Sequence, residues 1–288
     1  MNEYIMFTDS ACDVPATVLN EWNIPFTCLT FRFNGEDKEY GNNDMEIGEF
    51  YNRMREGGVA KTAAANTEVF ASAFEKILGE GKDILYIGFS TGLSTTYNSA
   101  RIAAEELKDK YPDRKIITID SLSASLGFGM LVYLAKKKKE NGASIDECAE
   151  YIKSLVPKMC HWFTVDDLVY LMRGGRVSKT TAFVGNMLGI KPVLHMDNEG
   201  HLINVTKVRG RRSSLMALAD KYGELRDESA DNTIFISHGD CKKDADTLAE
   251  MIKTKYGSDV EFISEVGTVI GAHSGPGTLA LFFIGKER

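Results

Sequence analysis

The side chains best suited to chemistry are one histidine among glycines, two arginines around a glycine pair, and clusters of small hydroxylated residues. The histidine is His273, in GTVIGAHSGPGTLALFFIG (Gly267 to Gly285), just ahead of an apolar run. Four roles are open to it: catalytic base, metal ligand, clamp for a small anion, or turn residue. The arginines are Arg173 and Arg176 in RGGR. A guanidinium on a flexible turn suits a carboxylate or phosphate, and the same pattern also serves as a solvated loop. The hydroxyl clusters are TDSACD (8–13), STGLSTTYNS (90–99) and DSLSAS (120–125), joined by KTAAANT (61–67), whose Thr62 precedes a predicted helix start. Hydroxyls and free N–H groups at helix N-termini make a site for an anion. Each residue alone is also an ordinary helix cap.

Other chemistries fit less well. GFSTG (88–92) matches the G-x-S-x-G nucleophile elbow, and Ser90 with His273 or His238 could be drawn into a hydrolase triad. An elbow sends its serine directly into a helix, whereas TGLS intervenes here. The histidines form no H-E-x-x-H, and Asp240 and Asp244 of HGDCKKDAD are what a helix N-terminus would hold anyway. GEGKD lacks the spacing of a P-loop, and GFG (127–129) is not completed to G-x-G-x-x-G. The five cysteines are scattered with no C-x-x-C pair, so neither a disulfide framework nor a cysteine-rich zinc site is expected. Lacking partner ligands and a convincing nucleophile, His273 keeps two readings, anion clamp and turn residue. A second basic cluster, Arg209, Arg211 and Arg212 in VRGRR, opens a helix, where positive charge is locally unfavourable. It suits a docking surface for an acidic or phosphate-bearing partner as well as it suits a solvated face.

The elements that must position these residues follow from periodicity. EYIMFTDS, DILYIGF and KIITID read as strands, the last two as buried ones. They alternate with the helices PATVLNEW, NTEVFASAFEKIL (Asn66 as N-cap), STTYNSARIAAEELKDKY and SASLGFGMLVYLAKKKKENG. That alternation predicts an α/β domain over residues 1–156, a parallel sheet covered on both faces. Beyond a boundary near Val156–Pro157, a helix-like KTTAFVGNMLG, a hairpin in IKPVLHMDNEGHLINVTKV and two further strand–helix pairs predict an α+β domain over 157–288 with a mixed or antiparallel sheet. Ligands of open α/β sheets sit at the carboxyl ends of strands, and the ligand pocket is expected between the two domains. TVIGAH is expected to form a short helix over it, and TLALFFIG a buried strand.

The bulk properties exclude some classes. Of 288 residues 43% are hydrophobic, and the net charge of −7 disfavours nucleic acid as a partner. No apolar stretch approaches the ~20 residues that cross a bilayer, and the first residues lack a signal-peptide pattern. A soluble, cytoplasmic protein is expected.

Taken together, FTDSACDVP, STGLSTTYNSA, IDSLSASLGFG, LMRGGRVS, GIKPVL, VRGRR and IGAHSGPGTLALFFIG, in this order, resemble the DegV family over essentially the whole chain. The resemblance implies a bacterial, two-domain α/β protein that binds one long-chain, palmitate-like fatty acid and needs no cofactor or metal. It implies a monomeric carrier without catalysis of its own, able to touch a membrane transiently. Such a carrier presents the carboxylate to a separate ATP-binding fatty acid kinase subunit. By position, the carboxylate contacts would be Thr62, Ser94 and the Thr95 backbone N–H, with Arg173 and His273 beside the head group. Arg209, Arg211 and Arg212 would meet the kinase. The chain departs from the family where TAAAN (62–66) replaces the frequent T-S-Q-P-S and where Thr95 follows Gly-Leu-Ser. The alternatives are a hydrolase or acyl-transfer enzyme using Ser90 and His273, and a lipid sensor without a kinase.

Overall fold

The computed structural model describes residues 3–178, 189–229 and 232–288. Of the helix expected at KTTAFVGNMLG, only Gly189 is among them. Residues 4–120 contain a four-stranded sheet, in spatial order Phe26–Thr27, Tyr4–Asp9, Asp83–Gly88 and Ile116–Asp120, with every pair parallel. Asp83–Gly88 is buried along its length, as an unbroken apolar run requires of a strand covered on both faces. Alternate side chains feed two layers. Ile84 and Tyr86 join Phe7 in a cluster with the helices Thr67–Gly79 and Thr96–Lys110. Leu85 and Ile87 join Met6 against the helices Ser125–Glu140 and Ile145–Leu155. Asn66 caps its helix as expected, accepting the Val69 N–H at 3.0 Å. Ile116–Asp120 lies at the sheet edge and is only half-buried, so the expectation of a second fully buried strand does not hold.

Residues 159–284 contain a six-stranded mixed sheet, in spatial order Leu202–Arg209, Ile190–Met196, Met159–Thr164, Leu279–Ile284, Ile234–His238 and Phe262–Glu265. Only the last pair is parallel. The first two strands form the expected hairpin, whose turn ends on Gly200 at φ +78°. One face of this sheet is covered by the helices Arg211–Leu225 and Lys242–Tyr256. The other face shares its apolar cluster with the first sheet.

The helix Ser125–Glu140 lies between the sheets, and every residue from Ser125 to Val132 is buried. A helix apolar on all sides is one covered on all sides. Its GFG motif is a packing device rather than part of a nucleotide fingerprint. A Cβ on Gly127 would stand 2.2 Å from His161 Nε2, and one on Gly129 would stand 2.6 Å from the Cys12 carbonyl oxygen. The two glycines thus let the helix approach both halves of the molecule.

A third, antiparallel sheet goes beyond what periodicity predicts. Tyr40–Gly41, Thr30–Phe33 and Ala60–Ala63 pair in that order, with the helix Ile47–Arg55 alongside. Thr62 therefore sits on a strand, opposite Phe31, and ahead of the helix that Asn66 caps, as expected. The expected cap helix is present as Thr268–Ser274, and its Ala272 packs into a cluster with Phe31, Phe50, Tyr51 and Met54. Asn42 locks this unit in place. Its Nδ2 donates to the Ser10 carbonyl at 3.1 Å, and its Oδ1 accepts from the Val269 N–H and the Thr268 hydroxyl at 2.9 and 3.0 Å.

Gly129→Ala is expected to lower the unfolding free energy by about 1–3 kcal/mol through overpacking against backbone. Gly48→Ala, in the helix Ile47–Arg55 with open space around the new methyl, should be neutral or stabilise by up to about 1 kcal/mol. Urea midpoints of the two variants test this; equal midpoints would refute the packing role.

Candidate functional site

Between the two larger sheets lies a cavity of about 490 Å3. Its wall is mainly apolar, with Leu29, Phe89, Leu171, Met196, Val269 and Phe282 among its residues, and Thr62, Ser94, Arg176 and His273 form one polar corner. That volume falls within the range of small-molecule sites.

His273 lies in the last turn of the cap helix, which stops at Gly275 with φ +80°. The Thr278 hydroxyl braces the stop by donating to the Ser274 and Gly275 carbonyls at 3.0 and 2.8 Å. His273 Nε2 lies 2.8 Å from Thr62 Oγ1. Burial, and then the positive charge of Arg176, push the imidazole pKa down to about 4, so it is neutral at pH 7. A neutral imidazole carries one N–H. His273 Nδ1 is buried without a partner, and an orphaned N–H there would be costly. The hydrogen therefore belongs on Nε2, donated to Thr62. The Thr62 hydroxyl keeps its own hydrogen free for the cavity.

RGGR folds as the end of the helix Val169–Arg173 followed by a reversal. A Cβ on Gly174 would come within 2.0 Å of His273 Nδ1, and Gly175 takes φ +74°. The reversal brings Arg176 back to the cavity, where Nε and Nη2 donate to the Leu93 carbonyl at 3.2 and 2.8 Å. Arg176 thereby anchors the 91–95 segment and leaves a cation at the polar corner. Ser94 Oγ accepts the Thr96 N–H at 3.2 Å and pairs with Thr96 Oγ1 at 2.9 Å. Thr95 is the N-cap of the helix Thr96–Lys110 and also lines the cavity. The unpaired N–H groups of that helix start add positive potential at the corner.

Arg173 is placed differently from Arg176. It is exposed, 6.0 Å from the Tyr170 ring, and lines a second cavity of about 470 Å3 with Lys61 and Tyr170. Thr62, Arg176 and His273 line both cavities, so they form the partition between them. The cavity's arginine was within reach of the sequence, since RGGR holds both, but only the fold of the glycine pair separates their roles.

The other candidates are accounted for individually. Ser90 is fully buried, donates to the Gly200 carbonyl at 3.0 Å and accepts the Gly92 N–H at 3.1 Å. Its partners are backbone groups that tie the GFSTG loop to the hairpin turn, and among the described residues no histidine is hydrogen-bonded to it. In TDSACD, Asp9 accepts from the Tyr86 hydroxyl and from the Phe89 and Ala11 N–H groups, joining the ends of two strands. Of DSLSAS, Ser125 lines the cavity, while Asp120 accepts from Thr91 and Leu122. Arg211 is paired with Asp244 at 2.8 Å, whereas Arg209 and Arg212 are exposed. Among the described residues one group could converge on a metal ion, Asp197, Glu199 and His201. Asp197 Oδ1 there already accepts the Glu199 and His201 N–H groups of the hairpin turn. No helix among the described residues is long and apolar enough to cross a membrane.

A mainly apolar cavity with one polar corner has the chemistry of a site for a small amphipathic molecule. The profile of the DegV family, described as uncharacterised, matches residues 5–286, and the chain belongs to that family. A DegV domain-containing protein of Clostridium perfringens is 44% identical over 291 residues, covering 100% of this chain and 99% of that protein. A DegV lipid binding protein from Thermotoga maritima is 31% identical with a TM-score of 0.82, over 99% of each chain. A stearic-acid-binding protein from Eubacterium ventriosum is 26% identical with a TM-score of 0.87, over 98% of each chain.

The depressed pKa has a thermodynamic consequence. Folding lowers the His273 pKa from 6.5 to about 4, so the unfolded chain binds this proton more readily than the folded one. Its stabilising effect is complete above about pH 6.5 and is lost as pH falls through about 4, on the order of 3 kcal/mol in all. His273→Gln can keep a donor on Thr62 without titrating. Between pH 7 and 4 the wild-type urea midpoint should fall more steeply than that of His273→Gln; parallel curves would contradict this.

Proposed function

We propose that this protein carries one long-chain fatty acid, its tail in the cavity and its carboxylate at the polar corner. The observation that carries this reading is the cavity itself, about 490 Å3 of mainly apolar wall closing on two hydroxyls and a guanidinium. A buried methylene contributes about 0.8 kcal/mol, so a 16-carbon tail supplies on the order of 10 kcal/mol before ordering costs. The head group then needs orientation more than strong binding. Thr62 donates its free hydroxyl to the carboxylate, Ser94 and the Thr95 N–H complete the cradle, and Arg176 balances the charge. His273 is a positioning residue, holding Thr62 in the donating state. Arg173 stands on the outer side of the partition, where it would face whatever approaches the head group. The solved relatives described as binding lipid or stearic acid support the ligand class.

The carrier has no catalysis of its own in this reading. It acts as a cytoplasmic monomer and presents the carboxylate to a separate ATP-binding kinase subunit for acyl-phosphate formation. Exposed Arg209 and Arg212 at the start of the helix Arg211–Leu225 supply a basic surface for that partner.

Mass spectrometry of the organic extract from denatured protein should reveal a fatty acid. Its absence, together with no binding of added acid, would overturn the carrier reading. Thr62→Val should weaken fatty acid binding by roughly tenfold or more, the effect of losing a hydrogen bond to a charged group. A pull-down with the kinase subunit should lose capture on the double change Arg209→Ala, Arg212→Ala; unchanged capture would reject that surface.

A further inference from the structure

The cavity wall carries a second set of polar groups that the carboxylate does not use. Ser125 and Ser237 both line it, on the first turn of the central helix and on the strand Ile234–His238. Ser125 Oγ lies 2.5 Å from Asp13 Oδ2 and 3.1 Å from Ser237 Oγ, making a three-membered chain from Asp13 to the wall. Asp13, Ser125 and Ser237 are all at least nine-tenths buried, at 5%, 5% and 0% exposure, and Asp13 Oδ1 has no hydrogen-bond partner. Among the described residues no hydrogen bond links this chain to Thr62, Ser94, Arg176 or His273. On the same sheet face, His161 also lines the cavity, and its Nε2 is buried without a partner.

Each link of the chain holds one hydrogen, so Asp13 decides what Ser237 shows the cavity. If Asp13 is ionised, Ser125 donates to it, Ser237 donates to Ser125, and Ser237 offers only lone pairs. If Asp13 is protonated, the donations reverse and Ser237 has a hydrogen to give. Burial pushes the Asp13 carboxyl up to about 8, which favours the second state at pH 7. In neither state can a methylene meet the terminal hydroxyl. A ligand hydroxyl, both donor and acceptor, meets it in both. His161 does not contribute: its Nδ1–H donates to the Met159 carbonyl at 3.2 Å, and its Nε2 is packed against the Gly127 backbone.

The geometry points to a recognition element for the tail: Ser237, backed by Ser125 and Asp13, pairs with a hydroxyl carried part-way along the acyl chain, so the cavity takes hydroxylated long-chain acids. This rests on the fatty acid reading, and its test separates the two. Octadecanoic acid and its mono-hydroxylated isomers, with the hydroxyl walked along the chain, compete with a fluorescent fatty acid for wild type, Ser237→Ala and Ser125→Ala. One isomer should bind wild type within about threefold of octadecanoic acid, because its hydroxyl is paired. For that isomer the affinity ratio to octadecanoic acid should fall roughly tenfold in Ser237→Ala, the effect of burying an unpaired hydroxyl. Ser125→Ala should lower the ratio in the same direction, which covers the case of Ser237→Ala failing to fold. If every isomer binds wild type tenfold or more weakly than octadecanoic acid, or if the ratios are the same in all three proteins, the inference is wrong and the serine chain serves the fold alone. If octadecanoic acid itself does not bind, the carrier reading falls and this inference with it.

Discussion

The contact on which the rest depends is the close approach of the helix Ser125–Glu140 to both halves of the molecule. Gly127 and Gly129 present bare backbone to His161 and to the Cys12 carbonyl, at separations a methyl group could not share. That spacing holds the two sheets at a distance where their facing sides form one apolar cluster and still leave a cavity beside it. Interiors packed at crystal-like density cannot absorb a displaced helix without rearrangement. The cavity is therefore a product of where the helix is allowed to lie.

The polar corner is assembled by a second principle, backbone reversals that deliver side chains from distant segments. The Gly174–Gly175 turn returns Arg176 to the wall, the Gly275 stop aims His273, and the small antiparallel sheet delivers Thr62. Burial and neighbouring charge set the protonation state of the histidine there. His273 stays neutral under burial and the Arg176 charge, and a neutral imidazole can fix the direction of one hydroxyl without adding a second cation to that corner.

Much of the architecture was legible in the sequence. The continuous apolar run of Asp83–Gly88, the cap at Asn66 and the hairpin around Asn198–Gly200 each follow from local rules that the tertiary structure does not override. The small sheet was illegible because its strands are only two to four residues long, too short for a period to show. The GFG motif reads in the sequence as an unfinished fingerprint because its meaning lies in what packs against it. Ser90 resembles a nucleophile for the same reason: its motif is local, while its partner, the Gly200 carbonyl, is 110 residues away.

For this protein, residue order alone determined the strand and helix alternation, the parallel and mixed character of the two larger sheets, and the segments from which a site could be built. Those features depend on hydrophobic period and turn chemistry, which act over a few neighbours. The tertiary structure alone decided which arginine of RGGR reaches the cavity, which serine is structural, and which nitrogen of His273 holds the proton. Each of these turns on a contact between groups far apart in the chain, or on burial that no local window records. The distances of a few ångströms that set hydrogen bonds and charge states exist only once the sheets have closed on the central helix.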